Sequence, residues 1–187
     1  MKDAKPPHPF IVHLKELRED RGALAALRRG LGRAPGLAPE MYPYVVPWLP
    51  ERPYRQQEAA YYLVASLFAF HPLLTSEGNL GAHLAGAIAN ENSRQAVERR
   101  FVALLSAHPD DLGALLRHTI SFLKSQERPV NWSQLLNDLC AWDHPDRYIQ
   151  KNWARAFWAR QAPAAKTAPA ETTAKLAVRT KKIYEEE

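Results

Sequence analysis

Apolar residues recur at intervals of three and four through most of residues 1–160, the spacing of one face of an α-helix. Residues 10–19 put Phe10, Leu14 and Leu17 on one side, and Asp20 is placed to cap a second helix, RGALAALRRG, closing at Gly30. A Gly/Pro loop (residues 30–40) and a proline-rich irregular run (41–54) follow, the latter wrapping the core with Tyr42, Tyr44, Val45, Val46 and Trp48. Residues 55–70 read as the central helix. Their stripe of Ala59, Tyr62, Leu63, Ser66, Leu67 and Phe70 is widened almost all round by Tyr61, Val64 and Phe68, so other helices must enclose it.

His71-Pro72 stops that helix, and a Gly/Ala/Asn-rich connection (73–92) holds a short helical piece around residues 80–89. Ser93 is expected to cap SRQAVERRFVALLSA, which ends at His108-Pro109. Asp110 begins DDLGALLRHTISFLKS, with Leu112, Leu115, Leu116, Thr119, Ile120 and Leu123 inward. A turn (126–131), a helix over 132–142, a break at His144-Pro145 and a last helix from about Asp146 complete the pattern. No stretch alternates with period two between turns. The fold expected is all-α: a compact bundle of about six to eight helices in one domain, residues 1–160. Residues 161–187, rich in Ala, Pro, Thr and Lys, offer no core face and are expected to form a mobile tail.

Composition removes several function classes. One cysteine, Cys140, excludes a disulfide framework or Cys-rich metal site and fits a reducing, cytoplasmic setting. No run is long and apolar enough for a membrane span. The seven histidines show no H-E-x-x-H or Cys/His spacing, and no phosphate loop, dinucleotide fingerprint or nucleophile elbow occurs. His8, His71, His108 and His144 each precede proline, three of them where helices are expected to stop, as ordinary C-terminal devices. Asp110, Asp111, Asp143 and Asp146 stand where helices begin and are read as caps. No catalytic residue, metal site or cofactor is expected.

What remains is charge. The chain is basic, net +5, and its cations recur on faces turned from the core stripes: Arg28, Arg29 and Arg33; Arg94, Arg99 and Arg100; Arg117 and Lys124; Arg147, Lys151 and Arg155. The last three, read as i, i+4 and i+8 of the final helix, fall within about 80°. Ile149, Trp153, Ala156 and Phe157 fall opposite them. Packed into one bundle, such rows make a surface for an anionic backbone, without a motif for reading bases. A helical adaptor meeting acidic proteins is the alternative.

The order RRF-ALL, an LR- and LKS-bearing helix, V-W--LL-DL--WD and the terminal Trp153–Trp158 signature, with GALAALRRGLG upstream, resembles the CasB family. That family is the small subunit of the type I-E CRISPR Cascade surveillance complex. The resemblance covers most of residues 20–160 and implies an all-helical, non-catalytic subunit, present as a pair beside other Cascade subunits. It further implies contact with crRNA and target DNA and a hold on the displaced non-target strand of the R-loop. Carried over, Arg28 and Arg29 lie in the LRRG element, Arg99 and Arg100 in RRF, Arg117 in LR, Lys124 in LKS, and Lys151 and Arg155 in the terminal helix. Lys151-Asn152 departs from the denser basic pair expected before Trp153.

Overall fold

A computed structural model describes residues 6–159. Among them run α1 (Pro9–Glu16), α2 (Arg21–Arg28), the single turn α3 (Tyr42–Val45), α4 (Arg55–Phe70), α5 (Leu80–Gly86), α6 (Glu91–Leu105), α7 (Leu112–Ser125), α8 (Trp132–Cys140) and α9 (Tyr148–Ala159). Four short 3₁₀ turns link them, and the described residues contain no named strand, only an isolated parallel bridge between Leu74 and Val130. The fold is all-α, with eight helices longer than a single turn among the described residues. The expected tail (161–187) lies outside the described residues.

α4 is the axis of the bundle. Ala60, Tyr61, Val64, Ala65, Leu67, Phe68 and Ala69 are all buried, as a helix apolar on nearly every side requires. α8 and α2 pack along it, with Phe68 edge-on to Trp132 at 5.8 Å. A second contact unites α5 with α9, where Gly81 lies against the Trp153 backbone; a Cβ at Gly81 would stand 2.1 Å from the Trp153 carbonyl oxygen. Only glycine permits that approach. Trp142, Trp153 and Phe157 are buried between these layers, and Phe101 of α6 stacks on Phe157 at 4.3 Å.

The Trp153 indole is buried and needs an acceptor. Asp138 of α8 supplies it: Trp153 Nε1 donates to Oδ2 at 2.6 Å and Gln134 Nε2 to Oδ1 at 2.7 Å. Burial pushes the Asp138 carboxyl up to about 6, against the two donors that favour its ionised form. Burial also lifts the Cys140 thiol to about 11, which makes it an inert core side chain.

Several expectations about helix ends are corrected. Asp20 caps α2 as expected, accepting from the Ala23 N–H at 2.9 Å. α6, however, begins under Asn90; Ser93 is its third residue and closes a capping box by accepting from the Asn90 N–H. The histidine–proline pairs mostly start turns rather than stop them. His8, His108 and His144 each turn Nδ1 forward to accept the backbone N–H two residues on, from Phe10, Asp110 and Asp146. A residue before proline is driven to extended backbone, which is the conformation of an N-cap, and His8 and His108 have ψ of 133° and 149°. Asp111 makes no side-chain cap, and Asp110 is engaged elsewhere. α9 starts at Tyr148, so Arg147 lies ahead of it, with φ of 50°.

Candidate nucleic-acid interface

The last carbonyls of a helix lack partners within it. In α4 each finds one. Leu67 and Phe68 accept from the His71 N–H. Arg28 Nε, from the end of α2, donates to the Ala69 carbonyl at 2.7 Å, and Lys124 Nζ, from α7, donates to the Phe70 carbonyl at 2.9 Å. Lys124 also stands 4.0 Å above the centroid of the Phe70 ring. Two cations thus converge on the negative end of the helix dipole while their side chains stay exposed. His71 closes the same end: burial lowers its pKa, and its neutral ring donates Nε2–H to the Arg128 carbonyl at 2.7 Å.

Phe70 also lines a groove of about 1060 Å³ between the loop after α2, one flank of α4, and α7. Its floor is apolar, with Met41, Leu63, Leu67 and Leu112. The stripe on α4 with most evident helical spacing therefore borders open space along part of its length, through half-buried Ala59, Leu63 and Phe70. Arg33 and Arg117 stand at the groove and form no ion pair or hydrogen bond with another described residue. The Arg117 guanidinium rests against Gly32, whose φ of 76° turns the loop; a Cβ there would stand 2.9 Å from Nη1. Arg33 is the next residue and lines the same groove. Arg55, absent from the sequence candidates, lies on the same groove and pairs with Asp110 at 3.2 Å; Glu58 is the other acid in the lining.

The other candidates are dispersed. Arg29 pairs with Glu40 at 3.5 Å. On α6, Arg100 lies 5.5 Å over the Phe122 ring, Arg99 borders a shallow depression with Gln95, Glu98 and Val102, and Arg94 is half-buried. Arg147 donates to the Leu105 carbonyl and so closes the end of α6. The row Arg147/Lys151/Arg155 is accordingly reduced on α9 to exposed Lys151 and Arg155. Trp158 is 38% exposed and packs 5.4 Å from the Phe101 ring, a wall rather than a free stacking platform. Among the described residues no cluster of three or more His, Cys, Asp or Glu converges as a metal site, and no helix is long and apolar enough to cross a membrane.

Comparison with known proteins gives this arrangement a setting. The sequence model of the CRISPR-associated protein Cse2 family matches residues 23–158. A CRISPR-associated protein Cse2 of Thermus thermophilus is 37% identical over 158 residues, 82% of this chain and 90% of its own. The crystal structure of CasB from Thermus thermophilus superposes with a TM-score of 0.71 at 33% identity, over 80% of this chain and 96% of its own. A chain of a CRISPR RNA-guided surveillance complex does so with a TM-score of 0.69 at 27% identity, over 82% and 95%. A basic helical bundle with these matches across most of its length belongs to the Cse2 (CasB) family of type I-E CRISPR systems.

Proposed function

We propose that this chain works as a non-catalytic subunit of a type I-E Cascade complex in the cytoplasm, beside other Cascade subunits and a second copy of itself. Residues 1–160 act as one helical domain whose basic surface meets the phosphates of crRNA and target DNA and steadies the displaced strand. The observation that carries this reading is the set of cations along α4: Arg28 and Lys124 on its last carbonyls, and Arg33 and Arg117 at the groove on its flank, without acidic partners among the described residues. Such a site attracts phosphate and reads no sequence, as a displaced single strand requires. Arg99, Arg100, Lys151 and Arg155 extend the surface; Arg29, Arg94 and Arg147 contribute charge while serving contacts within the fold.

The test is the salt dependence of binding by the assembled complex to single-stranded DNA of mixed sequence, followed by fluorescence anisotropy. Each lost phosphate contact flattens the log–log slope by about 0.7, so R33A/R117A is expected to flatten it by about 1.4. Both side chains are exposed, and the melting temperature should hold. An unchanged slope removes the proposed site. The alternative, an adaptor whose basic faces meet acidic proteins, draws on the exposed Leu37, Tyr42, Val46 and Trp48, apolar side chains that a protein partner would cover. Nuclease-resistant co-purification together with an unchanged slope would favour it.

A further inference from the structure

The groove on the flank of α4 has more than phosphate attraction needs. A polyanion requires only surface charge, whereas this cleft holds about 1060 Å³, the upper end of the range, about 300–1,000 Å³, that encloses a small ligand. Half-buried Ala59, Leu63 and Phe70 line it from α4, and exposed Ala114 from α7. Arg117 also rises from α7 and rests its guanidinium against Gly32, on the opposite wall.

Charge and hydrogen bonding in the lining select the occupant. Three arginines face two acids there, and Asp110 is taken by Arg55, so the matching ligand is an anion. The donors of the floor are engaged within the fold: Gln56 Nε2 donates to the Leu139 carbonyl at 3.1 Å, and the Ser66 hydroxyl to the Leu63 carbonyl at 2.9 Å. An extended peptide laid on that floor would bury backbone N–H and C=O groups without partners. A nucleobase would not. Its face needs only apolar and aromatic surface, its polar edge can stay on the open side, and its own phosphate supplies the charge.

We propose that one unpaired base of a bound single strand lies in this groove, its face against Leu63 and Phe70, with the adjoining phosphate on Arg33 or Arg117. The proposal rests on the phosphate contacts proposed above and adds a second kind of contact to them. Bases in a duplex are stacked and paired, so only a strand with free bases can use the cleft. The site thereby favours single strand over duplex while preferring no sequence, because it covers the face of a base and not its edge.

The experiment titrates the assembled complex, by fluorescence anisotropy, with single-stranded DNA of mixed sequence and with an abasic strand of equal length. The abasic strand, built of tetrahydrofuran residues, keeps the phosphates and lacks the bases. A59L/A114L fills the groove and leaves every charge in place. It should weaken binding of the mixed-sequence strand about ten-fold, the weight of one stacked base, and leave the abasic strand's affinity and both salt slopes unchanged. No loss on the mixed-sequence strand, or an equal loss on both strands, overturns the proposal. So does a folded variant that no longer joins the complex, since a partner protein would then fill the groove. If A59L/A114L melts below the wild type, A114L alone, at an exposed position, goes through the same comparison. R33A/R117A should flatten the slope on the abasic strand too, so the phosphate contacts stand or fall separately from the base site.

Discussion

Replacing Asp138 with asparagine tests whether burial governs the joint between α8 and α9. In the unfolded chain the carboxyl titrates near its ordinary 3.8, and in the folded protein burial raises it to about 6. The folded state therefore holds the proton more tightly. Its contribution is complete below about pH 3.8 and is lost as pH rises through about 6. Roughly two units at about 1.36 kcal/mol each make the effect about 3 kcal/mol. The side-chain amide of the D138N variant cannot ionise, but its oxygen can still accept from Trp153, with the Gln134 amide turning to suit. Comparing urea unfolding of the two proteins by tryptophan fluorescence, at fixed ionic strength from pH 4 to 7.5, cancels the other titrating groups, His71 included. The wild type should lose about 2.5 kcal/mol of that relative to D138N across that range, mostly between about pH 4 and 6. A flat difference would mean that the carboxyl titrates alike in both states. A difference of opposite sign would mean that the bonds from Trp153 and Gln134 outweigh burial. Either refutes the reasoning.

Other substitutions probe single contacts. G81A drives a methyl into the Trp153 carbonyl and should destabilise by about 3 kcal/mol in chemical denaturation, by wedging α5 from α9. K124Q removes a charged donor from the end of α4 and a cation from the Phe70 ring, and thermal unfolding should report a loss of about 1–2 kcal/mol. H144A deletes the cap on the Asp146 N–H and should cost about 1 kcal/mol in the same assay, while H144N, with an acceptor of similar reach, recovers most of it.

Much of the architecture is legible in periodicity, because a helix that packs must show where it packs. α4 spans the residues its pattern predicts, and Phe10, Leu14, Leu123, Ile149, Trp153 and Phe157 are buried as their spacing requires. The chemistry of the helix ends is harder to read. Histidine before proline signals a boundary without saying on which side the ring acts: the extended backbone makes His8 and His108 N-caps, whereas His71 is the C-cap of α4. Arg147 adopts a left-handed conformation that no glycine or asparagine announces. Among the cations, a helical face shows which side chains are exposed, not which carbonyl they reach. Arg28 is 41 residues from its acceptor and Lys124 is 54, and Arg117 meets Gly32 only through tertiary packing. Asp138 does leave a trace: an acid amid Leu135, Leu136 and Leu139, with indoles nearby needing an acceptor.

The capping of α4 also bears on how this surface can change over generations. Exchanging Arg28 or Lys124 for an acid would place negative charge on carbonyls that already carry it, so selection for a folded protein alone retains both. Arg33 and Arg117 enjoy no such protection; under the function proposed above, a ligand would be what keeps them. A lineage that ceased to bind an anion here would keep the first pair and lose the second to drift. The ratio of the two substitution rates among relatives would date that loss, with no binding measurement required.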